Sequence, residues 1–199
     1  MPKVAIKKFV SIILSIVMMF SISVPLSAPT VADAASKRAK AVKAYKKYLK
    51  NKTEYSKFSL IYLDNNNVPE LLAKSGDMVS ILTYYKGKVK DTYYVSNLMY
   101  TANGKFDYYK KTGVIRRGGV SDGYSTLDYP KLSKGKMKST VYALYDMRTG
   151  KAKAYYKANN KKISKSKFKS LIKKNTKGKK VSHAKFHSNT NSGRKKFCK

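Results

Sequence analysis

Carboxylate and amide side chains cluster between residues 61 and 72, which read Ile-Tyr-Leu-Asp-Asn-Asn-Asn-Val-Pro-Glu-Leu-Leu. Asp64, Asn66 and Glu70 offer hard oxygens at spacings that a loop can turn toward one cation. Calcium takes about six to eight such ligands. Two carboxylates are few for that purpose, so we favour an Asn-rich hairpin turn, with weak Ca²⁺ binding as the alternative. Any calcium affinity is predicted to be no tighter than about millimolar.

The same segment resembles the loop Asp-Leu-Asp-Gly-Asp-Gly-x-Pro-Glu-Leu of exported bacterial proteins, and it is similar to the integrin-type FG-GAP calcium loop. The resemblance implies ligand roles for Asp64, Asn66 and Glu70. Tyr62 stands where the motif has its first Asp, and Asn67 replaces the turn Gly. The resemblance therefore implies a calcium loop that has lost part of its ligand set, and no other cofactor is expected.

His183, His187 and Cys198 form a second candidate metal site, since imidazole and thiolate are zinc ligands. Residues 181–188 alternate like a strand, which would separate the two imidazoles by about 13 Å. We therefore favour chance occurrence in a basic segment. Cys198 is the only cysteine, so an internal disulfide is excluded. The sequence predicts a free thiol on a flexible end, with an intermolecular disulfide as the alternative.

Paired tyrosines follow a Gly-Lys step at three places, namely Tyr93-Tyr94, Tyr108-Tyr109 and Tyr155-Tyr156. These segments resemble the Gly-Lys-Trp-Tyr-Tyr hairpins of choline- and glucan-binding cell-wall repeats, in which aromatic rings cage a cation or a sugar. The spacing of the pairs is irregular and the chain has no Trp. Ordinary strands with one buried and one exposed Tyr are the favoured interpretation.

Basic side chains dominate the composition, with 44 Lys and Arg against 10 Asp and Glu and a net charge of +34. Five of them are arginines, Arg38, Arg116, Arg117, Arg148 and Arg194. Lys attracts phosphate as a point charge, whereas Arg also reads guanine edges. The composition therefore predicts unspecific attraction to polyanions, and any binding of nucleic acid would be non-specific.

No catalytic constellation is visible in the sequence. Both His lie near the C-terminus, and the few carboxylates show no catalytic pairing. We predict that the protein is not an enzyme. A hydrolase that uses Asp64 or Glu70 is the alternative, because the fold can bring distant carboxylates together.

Three lysines, an apolar run over residues 9–26 and Ala32-Asp33-Ala34 form the pattern of a secretory signal peptide. The pattern predicts a signal over residues 1–34 that is cleaved before Ala35, with an uncleaved anchor as the alternative. The mature chain would keep 41 basic and 9 acidic side chains, a net charge of +32 on 165 residues. We therefore predict that the protein is secreted and that it associates with the cell surface.

The elements that position these residues are predicted from periodicity. Residues 39–49 have helical spacing, with an interfacial membrane helix as the alternative. Strands are predicted over residues 58–63, 70–73, 79–85, 88–94, 106–109, 140–146 and 151–156, with a tight turn at Asn103-Gly104. Residues 113–138 give no clear strand. Ser164 is predicted to cap a C-terminal helix.

The predicted fold is α+β, an antiparallel meander of about six to seven strands with an N-terminal and a C-terminal helix packed on it. Residues 35–177 would form a single domain. Residues 178–199 would form a basic, flexible tail with at most one edge strand over 181–186. The order of features resembles that of small exported Lys- and Tyr-rich proteins of Gram-positive bacteria, which implies export and an α+β domain and supplies no activity.

The sequence thus predicts a monomeric, exported binding protein that associates with anionic cell-wall polymers or anionic lipid headgroups. Its C-terminal part has 19 basic residues and no acidic one after Met147. The predicted contacts are Lys161, Lys162, Lys165, Lys169, Lys173, Lys174, Lys177, Lys179, Lys180, Arg194, Lys195 and Lys196. A membrane-active or toxin-like effector and a glycan-binding hairpin module are the alternatives.

Overall fold

Three helices and twelve strands make up the part of the chain that the computed structural model describes, residues 31–95, 105–149 and 153–199. The helices are α1 (Val31–Asn51), α2 (Lys165–Thr176) and α3 (Asn191–Phe197). The strands are β1 (Lys57–Ile61), β2 (Glu70–Ser75), β3 (Met78–Tyr85), β4 (Lys88–Val95), β5 (Asp107–Tyr109), β6 (Val114–Ser121), β7 (Tyr124–Ser133), β8 (Lys136–Asp146), β9 (Lys153–Ala158), β10 (Lys161–Ile163), β11 (Ser182–His183) and β12 (His187–Ser188).

The strands form two antiparallel sheets. One has five strands in the order β12-β1-β2-β3-β4, and the other has seven in the order β10-β9-β8-β7-β6-β5-β11. The predicted α+β class with an antiparallel meander is confirmed. The meander continues past the predicted strands and divides between two sheets, because apolar side chains occur on both faces of several strands and each face needs a partner layer.

Three apolar clusters hold the layers together. α1 places Ala41, Val42, Tyr45 and Leu49 on one face of the five-stranded sheet. A second cluster fills the space between the sheets and includes Ile61, Leu72, Val79, Ile81 and Ile115. α2 packs through Phe168 on the far face of the seven-stranded sheet, against Tyr129, Val141 and Ala143. The order of layers is helix, sheet, sheet, helix.

β6 and β7 are the main elements that the sequence did not predict. Gly118 and Gly119 weaken the local preference for a strand in β6, and Pro130 does so in β7. Pairing with neighbouring strands outweighs these weak local preferences, since β7 is paired with β6 on one side and with β8 on the other. The register shifts between Asp128 and Pro130, so the proline occupies an irregular position where its missing N–H is tolerated.

Both predicted helices are confirmed. α1 includes the predicted residues 39–49, and its apolar stripe is the face that enters the core. Ser164 is the N-cap of α2, where its hydroxyl oxygen accepts a hydrogen bond from the Lys167 backbone N–H at 3.2 Å. The cap satisfies one of the backbone donors that a helix start leaves unpaired.

The C-terminal segment differs from the flexible tail that the sequence predicts. Residues 182–183 join the edge of the seven-stranded sheet, and residues 187–188 join the edge of the five-stranded sheet. The Asn189 side-chain amide donates to the backbone oxygens of Leu49 and Tyr55, at 3.1 and 2.8 Å. Cys198 is 1% exposed and packs beside α1. Self-repulsion of the basic residues is outweighed here by long-range pairing and burial.

Residues 31–199 belong to one compact unit. The predicted signal core and the Asn103-Gly104 turn lie outside the described residues. Of the predicted signal, residues 31–34 fall in the first turn of α1, ahead of the first buried residue, Ala41. Within the described ranges, no helix has the length and apolar character needed to cross a membrane.

Candidate polyanion-binding face

Three of the ten acidic side chains pair with arginines in the described ranges. Asp107 pairs with Arg116, Asp128 pairs with Arg117 at 3.0 Å, and Asp146 pairs with Arg148 at 2.8 Å. Asp107 and Asp128 are buried. Arginine suits such sites because its planar fork satisfies a carboxylate with two parallel bonds.

Lysines are left almost without acidic partners. Lys52 pairs with Glu54 at 3.5 Å, and both side chains are half exposed. Two carboxylates, Asp107 and Asp128, are buried with arginine partners, whereas most lysines are exposed to solvent.

The largest set of such lysines lies on β10, on α2 and on the segment that follows α2. Nine of them are predicted contacts, all nine are exposed, and none of the nine pairs with a carboxylate in the described ranges. Lys167 on α2 is a tenth exposed lysine of these elements. We call the set of nine the basic face. It consists of Lys161, Lys162, Lys165, Lys169, Lys173, Lys174, Lys177, Lys179 and Lys180.

α2 determines the form of the basic face. Phe168, Leu171 and Ile172 pack toward the sheet, whereas the lysines of α2 are exposed to solvent. Lys165, Lys169 and Lys173 follow one another at a spacing of four residues and repel one another. Lys173 and Lys174 are in the last turn, where the helix dipole favours cations. An added polyanion would relieve the remaining repulsion.

Two hydrogen bonds made by lysines connect the end of the basic face with the β5–β6 turn and the β1–β2 loop. The Lys179 ammonium donates to the backbone oxygen of Lys110 at 3.1 Å. The Lys111 ammonium donates to the Asn67 side-chain oxygen at 3.2 Å. The lysines therefore reach the predicted calcium loop, which makes that loop a poor place for a divalent cation.

Three of the twelve predicted contacts lie elsewhere. Arg194, Lys195 and Lys196 belong to α3, whose following residue Cys198 packs on α1. Arg194 is half-buried and donates to the backbone and side-chain oxygens of Asn189, at 3.0 and 2.7 Å. The predicted contacts thus form two separate groups. One consists of the basic face, and the other lies on α3.

The predicted calcium loop connects β1 to β2, and its oxygens are used within the protein. Asp64 accepts from the backbone N–H of Asn66 at 3.1 Å, and the Asn66 side-chain oxygen accepts from the Val68 N–H at 2.7 Å. These are Asx turns that close the loop. Asp64 is half-buried, and burial raises its pKa.

Glu70 does not join Asp64 and Asn66 in an oxygen cage. It is fully buried at the start of β2, where it accepts from the Leu63 N–H at 3.0 Å and from the Thr83 hydroxyl at 3.3 Å. Burial, with a smaller contribution from the charge of Asp64, raises the pKa of Glu70 to about 8. Its carboxyl group serves the packing of the core, and no group of three His, Cys, Asp or Glu in the described ranges has metal-site geometry.

The predicted histidine and cysteine set is not assembled. His183 lies in the seven-stranded sheet and His187 in the five-stranded sheet. His187 stacks on Phe197 with ring centroids 3.6 Å apart, and burial lowers the pKa of His187. Cys198 is enclosed beside α1, and burial raises the pKa of its thiol to about 11. An intermolecular disulfide would require this end of the chain to detach.

Asp107 links His183 to Arg116, which sequence reasoning did not predict. Its Oδ1 lies 2.6 Å from His183 Nδ1, and its Oδ2 accepts from Arg116 Nε at 3.0 Å. A carboxylate that orients an imidazole is one part of a catalytic triad. In the described part of the chain, Asp107 is the hydrogen-bond partner of this imidazole, so no nucleophile is bonded to it.

Residues 119–123 read Gly-Val-Ser-Asp-Gly, which matches the Gly-x-Ser-x-Gly pattern of some hydrolases. In hydrolases this motif forms a sharp turn between a strand and a helix. Here it forms the hairpin between β6 and β7, and the Ser121 hydroxyl donates to Asp122 at 2.8 Å. The arrangement lacks the strand-to-helix context that makes such a serine a nucleophile.

The tyrosine pairs follow the alternation of their strands. Tyr94 is 49% exposed, whereas Tyr93 packs in the cluster between the sheets. Tyr155 is 39% exposed, whereas Tyr156 packs against Phe168. Tyr108 and Tyr109 pack in clusters on opposite sides of their sheet. Each pair therefore divides its rings between two faces, which does not build an aromatic cage.

A polar cleft of about 300 Å³ lies on the seven-stranded sheet. Its lining includes Arg117, Asp128, Tyr142, Lys157 and Asn160. Sequence reasoning missed it, because β6 and β7 were not predicted. The Asn159-Asn160 pair could have indicated the hairpin turn beside the cleft, since Asn accepts the positive φ of a tight turn. Both residues have positive φ.

Comparisons of the chain with protein-family models, with curated proteins and with solved structures find no match.

Proposed function

We propose that this protein is an exported, non-enzymatic binding protein whose basic face attracts anionic polymers of the cell envelope. The observation that carries the proposal is the set of nine exposed lysines without a carboxylate partner in the described ranges. Point charges on flexible stems suit a polymer of repeating phosphates without a fixed conformation. Binding would be driven by release of counterions from that polymer.

The use of α1 in the core weighs against the membrane-active alternative. An interfacial helix must place its apolar stripe in lipid. The stripe of α1 is buried against the five-stranded sheet, and the Tyr45 hydroxyl donates to the Pro69 backbone oxygen at 3.0 Å inside that core. Insertion of α1 into a bilayer would therefore require the domain to open.

The proposal is tested by retention of the mature protein on isolated Gram-positive cell walls. We expect retention to fall steeply as salt rises from about 50 to about 500 mM, because counterion release drives binding. Walls stripped of their phosphate polymers should retain little protein. Retention that does not change with salt concentration would overturn the proposal. So would equal retention on stripped and untreated walls.

A matched pair of variants tests the basic face itself. The triple change Lys165→Gln, Lys169→Gln and Lys173→Gln removes three charges from α2. The control changes Lys57→Gln, Lys88→Gln and Lys90→Gln remove three exposed charges from β1 and β4. The α2 variant should lower the slope of log affinity against log salt by about 2 to 3, and the control should lower it far less. Equal losses would assign binding to total charge and not to this face.

Competition experiments separate the other partners. Free DNA at equal phosphate concentration should displace the protein from walls less effectively than soluble wall polymer does. Leakage of dye from anionic vesicles at micromolar protein would favour the membrane-active alternative.

A further inference from the structure

We infer that the cleft of about 300 Å³ on the seven-stranded sheet binds a polyol phosphate unit, a phosphodiester flanked by hydroxyl-bearing carbons. The inference rests on the proposed function, because it names the repeating unit that the protein would hold. It adds a specific subsite to a face that otherwise attracts any polyanion.

The cleft follows a row of residues that lie directly opposite one another on neighbouring strands. Arg117 on β6 is paired with Asp128 on β7, and Asp128 is paired with Tyr142 on β8. Tyr142 is paired with Lys157 on β9, and Lys157 with Lys162 on β10. Directly opposed residues share one face of a sheet, so the five side chains form one row across it.

The row occupies the face of the sheet away from α2, and it begins at the border of the apolar cluster between the sheets, where Arg117 lies over Tyr93. Val141 and Ala143 pack toward α2, and Tyr142 between them points to the other side because strand side chains alternate. β10 is the edge strand of this sheet. Lys162, a member of the basic face, therefore marks the point where the row meets the sheet edge, and a polymer chain held by α2 can pass around that edge into the cleft.

Asp128 fixes the position of Arg117 at one end of the cleft. Asp128 is 3% exposed, and its carboxylate accepts from Arg117 Nη2 at 3.0 Å and from the Ser139 hydroxyl at 2.6 Å. Arg117 also lies over the Tyr93 ring, 5.4 Å from its centroid. The guanidinium is thus held in place, while its side chain stays 38% exposed. A guanidinium has five N–H donors, so several remain for a phosphate.

The other end supplies a second cation and amide groups. Lys157 lies three strands from Arg117, roughly 14 Å away at the usual strand spacing. Asn159 and Asn160 form the turn beside it, and Tyr142 lies between the two cations. Two cations separated by hydroxyl and amide groups match an anionic chain whose phosphates are separated by hydroxyl-bearing carbons. A nucleobase would find no pair of flanking rings on which to stack in this cleft.

The test is calorimetric titration of the mature protein with a synthetic glycerol phosphate trimer. A thymidine trinucleotide of matched phosphodiester charge is the comparison. We expect the glycerol phosphate trimer to bind at least about fivefold more tightly, and its amide chemical-shift changes to centre on residues 157–160. Equal affinities for the two trimers would overturn the inference, since they would indicate attraction to phosphate charge alone.

Variants locate the site without disturbing the buried pair. The double change Lys157→Gln and Tyr142→Phe should weaken trimer binding about tenfold. The control changes Lys153→Gln and Tyr155→Phe, both on β9, remove the same groups outside the cleft and should change trimer binding less than about twofold. Equal effects of the two variants would overturn the site. If the first variant fails to fold, the shift map of the unaltered protein decides.

Wall retention separates this inference from the proposed function. One outcome would overturn the cleft inference and leave the proposed function standing. In that outcome, retention on walls depends on salt, but the trimer causes no chemical-shift changes at residues 157–160. Absence of wall retention in the unaltered protein would overturn the proposed function, and trimer selectivity would then stand as the surviving result for the cleft.

Discussion

Glu70 shows how one residue can match a ligand motif and serve another purpose. Its position agrees with the closing carboxylate of a calcium loop, yet both of its oxygens accept hydrogen bonds from Leu63 and Thr83 inside the core. A neutral carboxyl group is stable there, because burial penalises the charged form.

Stability should therefore fall as pH rises through the range that Glu70 controls. The pKa of Glu70 is about 8 in the folded protein and 4.5 in a model carboxyl group, so between these values the folded state retains a proton that the unfolded chain has lost. The contribution is fully present below the lower value and lost above the higher one. In Glu70→Gln the amide oxygen can accept from the Leu63 N–H and the amide nitrogen can donate to the Thr83 hydroxyl, so this variant should be about 5 kcal/mol more stable than the unaltered protein at pH 9 and equal to it at pH 4.

Urea unfolding across this pH range measures the effect. Glu54→Gln is the matched control, since Glu54 is an exposed glutamate in a surface ion pair. A Glu70→Gln protein whose stability follows that of the unaltered chain at every pH would show that the carboxyl group is ionised in the folded state.

Gly113 is a second residue whose type is required by its surroundings. It has φ +82°, and its backbone N–H donates to the Leu63 oxygen at 2.6 Å. A Cβ atom at this position would lie 2.8 Å from the backbone oxygen of Leu132. The glycine thus joins the β1–β2 loop to the seven-stranded sheet at a point that has no space for a side chain.

Gly113→Ala should destabilise the fold by about 2–4 kcal/mol, through a strained φ and a backbone clash. Gly76→Ala is the control, because Gly76 has φ +54° with open space around it. It should lose only about 1 kcal/mol. Thermal or urea unfolding measures both, and equal losses would show that the backbone conformation alone matters at Gly113.

At the scale of elements, the C-terminal segment changes most between sequence and structure. β11 and β12 complete the edges of two different sheets, and α3 is anchored by Cys198 beside α1. The segment has no strong local signal of its own. Its partners Lys57, Phe58, Asp107 and Tyr108 are far away along the chain.

The Cys198 thiol reports directly on this anchoring. Burial raises its pKa to about 11, and only the thiolate reacts with an aromatic disulfide reagent. At pH 8 the native protein should react at least about a hundredfold more slowly than the unfolded chain. The rate in guanidinium chloride is the control. Native reaction as fast as that of the unfolded chain would restore the flexible tail that the sequence predicts.

At the scale of the whole molecule, charge opposes folding. The predicted mature chain has a net charge of +32, and its exposed lysines have few acidic neighbours. Repulsion among them weakens as the Debye length shortens from about 30 Å at 0.01 M salt to about 10 Å at 0.1 M.

Salt should therefore stabilise the fold while it weakens binding to polyanions. We expect the free energy of unfolding at pH 7 to rise by about 1–3 kcal/mol between 0.01 and 0.2 M sodium chloride. Thermal unfolding at several salt concentrations measures this. A melting temperature that is flat or falling with salt would indicate that internal ion pairs matter more than self-repulsion.

The sequence by itself determined the properties that are sums or local patterns. Net charge depends only on residue types. The α+β class, the start of α2 at Ser164 and the strands β1 to β4 follow from turn residues, caps and alternation that act over a few positions.

The tertiary structure decided everything that depends on partners distant in the chain. β6 and β7 exist although glycine and proline weaken their local preference, because neighbouring strands pair with them. The direction of Glu70, the burial of Cys198 and the row from Arg117 to Lys162 depend on which strands become neighbours. Burial and hydrogen bonding between remote segments decide those choices, and a local pattern carries no information about its remote partner.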